Sequence, residues 1–165
     1  MFLWHPAAMT SEFGTPIGDR YFADYVPGAT YECGSVEVTE AEILEFARRY
    51  DPQSFHVDPV AAADGPYGGL IASGWHTASL MMRLYAAHYL STVASLGSPG
   101  VDELRWPRPV RPGAMLRLRA TVAEARGSRS KPDRGVLRTR VEFVDDGDDV
   151  VFSASLVNLL LVRPG

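Results

Sequence analysis

From Ile71 to Leu90 the chain reads IASGWHTASLMMRLYAAHYL, rich in alanine, leucine and methionine, with apolar residues on most faces of the helix it favours. A helix of this kind needs cover on nearly every side. It approaches the length of a membrane span, but Ser73, Gly74, His76, Arg83 and His88 interrupt it, so it is expected at the centre of a soluble fold. The cover has to come from the rest of a 165-residue chain, which is the usual size of one domain.

That cover is legible after Gly97, where the pattern turns to strands at Val101–Trp106, Met115–Ala125, Val136–Val144 and Val150–Val162. In the second of these, Leu116, Leu118, Ala120 and Val122 alternate with Arg117, Arg119 and Thr121, as in a half-buried antiparallel strand. Leu137, Thr139, Val141 and Phe143 repeat the pattern, and the DDGDD run over Asp145–Asp149 supplies a hairpin turn. The last strand is almost continuously apolar, which predicts burial on both faces. With a further strand over Tyr31–Val38, the class is α+β, an antiparallel β-sheet wrapped around one long central α-helix. A sheet covers such a helix on one side only, so a partner chain is expected on the other and the protein is read as a homodimer.

Residues 1–19 are read as a loosely ordered N-terminal arm and 20–165 as the domain. The start MFLWHPAAMTSEFG lacks the basic region and the long apolar core of a signal peptide, which points to the cytoplasm and away from a membrane. A net charge of −4 argues against a nucleic-acid partner, and the single Cys33 rules out an internal disulfide.

The chemistry-bearing stretch is Tyr50–Trp75, YDPQSFHVDPVAAADGPYGGLIASGW. Thr39 and Glu42 form a capping box that starts a helix at Glu40, and Pro52 stops it by disfavouring helical geometry at Asp51. Asp51 and His56 then stand five positions apart in a segment expected to be loop. Asp58 can cap a short helix over Pro59–Asp64, which explains that carboxylate without a metal. Histidine titrates near neutral pH, so an Asp and His facing one substrate can move protons in either direction. Spacing alone leaves open that the two are a cap and a structural histidine.

Three segments together, RYFADYVPGATYE, TEAEILEFARRYDPQSFHVDP and GGLIASGWHTASLMMRL, resemble the MaoC-like dehydratases, which include the R-specific enoyl-CoA hydratases and adopt the hotdog fold. The resemblance implies catalytic roles for Asp51 and His56, and for the amide of Gly74, which begins the central helix and would receive the thioester oxygen. It implies substrate contacts at Gln53, Ser73 and Trp75, Ser73 being read mainly as a helix cap. Gln53 stands where the hydratases have asparagine, Ser54 where they have proline, Ser73 where they have histidine and Met82 where some have serine.

The implied reaction is reversible addition of water to a trans-2-enoyl thioester of coenzyme A or an acyl carrier protein, giving an (R)-3-hydroxyacyl thioester. It needs no cofactor beyond the coenzyme A of the substrate, and no metal. A hotdog thioesterase and a non-catalytic acyl-CoA binding module are the alternatives. Two basic clusters, Arg105, Arg108 and Arg111, and Arg126, Arg129, Lys131 and Arg134, are candidates for coenzyme A phosphates.

Overall fold

The computed structural model describes residues 10–165. Its helices are α1 (Glu40–Tyr50), α2 (Ser54–Val57), α3 (Pro59–Ala63) and α4 (Gly74–His88), and its strands are β1 (Thr30–Val38), β2 (Gly100–Arg105), β3 (Ala114–Gly127), β4 (Arg134–Val144) and β5 (Val150–Leu161). The strands form one sheet in the order β1-β3-β4-β5-β2, every pairing antiparallel. The sheet wraps α4, the hotdog arrangement, and the fold class is the expected one.

Alternation decides which side faces the helix. Leu116, Leu118, Ala120 and Val122 of β3 and Leu137, Thr139, Val141 and Phe143 of β4 are all buried, and they meet Leu80, Met81, Leu84 and Tyr85 of α4 in one core. The two polar residues on this inner face are satisfied. Tyr89 and Thr139 share a hydroxyl hydrogen bond of 2.9 Å, and the Tyr85 hydroxyl donates to Asn158 Oδ1 at 2.8 Å. β5 departs from expectation: its outward residues Ser153, Ser155, Val157 and Leu159 are only half-buried, so among the described residues the outer face of the sheet is not fully covered at this strand.

The helix ends are set by side chains. Thr39 Oγ1 accepts from the Glu42 amide at 3.2 Å while Glu42 Oε2 accepts from the Thr39 amide at 3.4 Å, closing the capping box of α1. Asp51 ends α1 with φ −151° and ψ 69°, outside the helical region as the following proline requires. At the C-terminus of α4, the Arg20 guanidinium donates to the carbonyls of His88 at 3.2 Å and Tyr89 at 2.8 Å, and the Tyr25 hydroxyl donates to the same Tyr89 carbonyl at 2.9 Å. These carbonyls have no partner within the helix, and a cation there also opposes the negative end of the dipole. In β1 a bulge at Gly34, with φ 82°, brings the strand against His88 of α4; a Cβ there would lie 3.0 Å from the imidazole.

The arm expected over 1–19 is described only from residue 10 onward. Residues 1–9 lie outside the described residues, but Phe13 stacks on Tyr31 at 3.8 Å and lies under the Arg20 guanidinium at 3.4 Å. Aromatic area rather than local propensity holds this segment. No helix among the described residues is long and apolar enough to cross a membrane.

Leu118 is fully buried between β3's neighbours and α4. Leu118→Ala should lower the unfolding free energy by about 2–5 kcal/mol in urea denaturation; a loss below ~1 kcal/mol would mean that the sheet does not pack on α4 in this register.

Candidate active site

Three segments converge at the N-terminus of α4. The exit of α1 delivers Asp51, the single turn α2 delivers His56, and the extended stretch Leu70–Ser73 leads into Gly74. That stretch is pinned on both sides, the Ile71 amide donating to the Phe55 carbonyl at 3.1 Å and the Ala72 amide to the Val110 carbonyl at 2.8 Å. His56 therefore rides a helical turn and not the expected loop. Proline restrains only the residue before it, and the chain is free to coil again from Ser54.

His56 is buried, and its Nδ1 lies 2.7 Å from the Ile71 carbonyl oxygen. A carbonyl can only accept, so Nδ1 carries a hydrogen and Nε2 is the nitrogen that exchanges protons. Nε2 faces Asp51 Oδ2 at 3.3 Å. That same oxygen receives the Ser73 hydroxyl at 2.7 Å, and Oδ1 receives the Gln53 side-chain amide at 2.7 Å. Burial opposes ionisation of Asp51, but the hydrogen bonds from Ser73 and Gln53, joined by the charge of His56, outweigh it and hold the carboxyl below its ordinary value.

Asp51, His56 and Gly74 line one cavity of about 520 Å³. Its walls include Phe55, Tyr67, Trp75 and Trp106, with Arg108 also on its lining. Trp106 is the largest piece that the sequence reading missed. Its indole N–H donates to the Gly74 carbonyl at 2.8 Å, and a Cβ added at Gly74 would come within 2.5 Å of the indole ring. Glycine is thus required here for close approach of an aromatic wall, and the pairing of a lone glycine with a tryptophan 32 residues on leaves no local sequence signal.

Every proposed site residue lies at this centre, though two have other roles than expected. Ser73 does cap α4, its Oγ accepting from the Trp75 amide at 3.2 Å, and in addition it holds Asp51. Gln53 is spent on the same carboxylate. Trp75 is 59% exposed and packs edge-on against Trp106 at 5.3 Å; it belongs to the wall and not to the core side of α4, where Leu80 and Met81 do lie. Asp58 accepts from the Val60 and Ala61 amides at 3.0 and 3.1 Å, the capping role expected. Of the basic clusters, Arg108 alone lines the cavity, where it pairs with Asp149 at 2.7 Å; Arg111 instead donates to the Tyr67 carbonyl at 2.6 Å.

A sheet curved around one helix, with an aspartate and a histidine paired beside that helix's N-terminus, defines a hotdog protein. Residues 23–143 match the MaoC like domain. The chain belongs to the MaoC-like dehydratase family. It is 30% identical over 124 residues to the 3-hydroxyacyl-thioester dehydratase Z of Mycobacterium tuberculosis, covering 74% of this chain and 82% of that protein. It is similar to the solved MaoC-like dehydratase from Rhodospirillum rubrum, with a TM-score of 0.82, 34% identity and coverage of 88% of this chain and 99% of that one. The (R)-hydratase from A. caviae involved in PHA biosynthesis shares the fold, with a TM-score of 0.67 at 21% identity over 83% of this chain and 97% of that one.

Gly74→Ala should push the Trp106 indole off the start of α4. In a background carrying both Trp4→Phe and Trp75→Phe, acrylamide quenching of the one remaining indole, Trp106, should rise while the far-ultraviolet circular dichroism stays native; unchanged quenching would show that the wall does not rest on Gly74.

Proposed function

We propose that the protein is a 3-hydroxyacyl thioester dehydratase that works reversibly as an enoyl thioester hydratase. The observation that carries this reading is the Asp51–His56 pair, set over the cavity at the N-terminus of α4. Water bound between the two groups is placed to attack carbon 3 of a trans-2-enoyl thioester. Asp51 takes the proton that water loses as the new carbon–oxygen bond forms, and carbon 2 takes a proton from His56 Nε2 as its carbanion collapses. The proton on Asp51 then returns to His56 across 3.3 Å, so the pair ends as it began. Dehydration is the same path reversed.

The division of roles follows from the donors on the carboxylate. Asp51 already accepts from Ser73 and Gln53, so a third contact with Nε2 is favourable when the shared proton rests on the imidazole. Negative charge that develops on the thioester oxygen is met by the Gly74 amide, since first-turn amides have no partner within the helix and the dipole favours an anion there. Trp106, held on the carbonyl side of the same glycine, shields this position from water.

The working unit of this reading is a homodimer. Trp75, Ser79, Met82 and Ala86 form an exposed stripe along α4, continued at its C-terminal half by Arg83, Ala87 and His88, and β2 is an edge strand with Val101 48% exposed. A second copy covers both features at once, the stripe lying beside the cavity mouth through Trp75.

Purified protein should consume the conjugated thioester absorbance of crotonyl-CoA or a longer enoyl-CoA. Asp51→Asn and His56→Ala should each reduce kcat by ~10²–10⁴-fold with the fold intact; release of free thiol in place of hydration, or undiminished turnover in either variant, would overturn the reading. Light scattering coupled to size exclusion should give twice the mass of one chain, and Met82→Glu should shift that mass to a single chain; a monomeric wild type would remove the dimer.

A further inference from the structure

Ser73 has no exposed surface and makes two hydrogen bonds through one oxygen. A hydroxyl has one hydrogen to give and two lone pairs to accept with. The Trp75 amide can only donate, so it occupies a lone pair of Oγ at 3.2 Å and leaves the hydroxyl hydrogen for the other neighbour, Asp51 Oδ2 at 2.7 Å. Were Asp51 protonated and donating toward Ser73, the hydroxyl hydrogen of the fully buried serine would lose its acceptor, a configuration that buried polar groups avoid. The helix cap therefore sets the direction of the second hydrogen bond.

We propose that Ser73 is a positioning residue for the reaction: through its cap-oriented hydroxyl it keeps Asp51 a carboxylate acceptor turned toward His56. Gln53 supports the other oxygen, but it is exposed and exchanges with solvent, so the buried serine carries the larger share. The inference rests on the dehydratase reading for its kinetic consequences and on geometry alone for the state of Asp51. The charged groups around that carboxylate are few. His56 faces it from α2, Arg49 of α1 sits over the Tyr50 ring, and Arg108 across the cavity is engaged by Asp149.

Direction of the pH effect follows from the same hydrogen bonds. The carboxyl of Asp51 lies below its ordinary value, and activity that needs the carboxylate is lost as pH falls through that lowered value. Removing the Ser73 donor raises it, so the acid limb of the kcat/KM profile moves to higher pH.

Ser73→Gly separates the two duties, because glycine is tolerated as an N-cap but has nothing to donate. The expected result is an acid limb moved up by about one pH unit and kcat reduced ~10-fold or more with KM little changed, and Ser73→Thr should restore both. A carbon-13 titration of the Asp51 carboxyl, assigned by its absence in Asp51→Asn, should show the same upward move in Ser73→Gly without any turnover. An unmoved carboxyl titration overturns the proposal, as does an unmoved acid limb in an active Ser73→Gly enzyme. A wild type inert toward enoyl thioesters defeats the dehydratase reading instead, and the carboxyl titration then decides the role of Ser73 by itself.

Discussion

Burying one helix inside a sheet creates the problem that organises this protein. An α-helix leaves four amides and four carbonyls unpaired at its ends, and a helix surrounded by strands cannot hand all of them to water. At the C-terminus of α4 side chains supply partners: Arg20 and Tyr25 reach over from the N-terminal segment and take the His88 and Tyr89 carbonyls. At the N-terminus this supply is partial. Ser73 takes the Trp75 amide, Trp106 takes the Gly74 carbonyl, and the first amide of the helix is left beside a cavity that also contains an ionised carboxylate and an imidazole. One end of the helix is tied to the N-terminal segment, and the other opens onto the cavity.

Legibility followed the range of the interactions. The capping box at Thr39 and Glu42, the proline stop at Asp51 and the alternation of β3 and β4 depend on residues within one turn or one strand, and each was readable from the chain. The Asp51 and His56 pair was readable for a different reason. The spacing itself was ambiguous, and resemblance to a known family resolved it. What stayed hidden joins residues far apart: Trp106 on Gly74, Arg20 on the end of α4, Phe13 on Tyr31 and Ser73 on Asp51. Each is a contact between ordinary residues whose partner is set by topology alone. The one-turn helix α2 was missed locally, because a proline's restraint on its predecessor was extended to the residues after it.

The departures of this chain from the hydratase pattern read differently once they are placed in space. Gln53 and Ser73 come from separate elements, the entry to α2 and the entry to α4, yet their side chains hold opposite oxygens of the same carboxylate. Ser54, in the position of a proline, begins α2. Its N-terminal position explains why the exchange is tolerated, since proline and serine are both accommodated in the first turn of a helix. Two of the changes, at Gln53 and Ser73, thus fall on the support of Asp51 and leave its pairing with His56 in place.

Chemistry and substrate choice are consequently carried by different parts of the cavity. In the proposed reaction Asp51, His56 and Gly74 would meet a thioester, a carbon–carbon double bond and a water, features that every enoyl thioester shares, so their geometry bears on reaction type and not on acyl chain. The remaining lining includes four aromatic side chains, Phe55, Tyr67, Trp75 and Trp106, drawn from α2, the α3–α4 connection, α4 and the segment after β2. Phe55 is tied to both halves of the site, edge-on to His56 at 4.5 Å and to Tyr67 at 5.4 Å. A change of wall residue made to fit a different acyl group would therefore press on the imidazole through Phe55 but would reach Gly74 only through Trp106. That asymmetry makes the Tyr67 side of the cavity the costlier one to remodel, and leaves more freedom on the side where Trp75 is exposed to solvent.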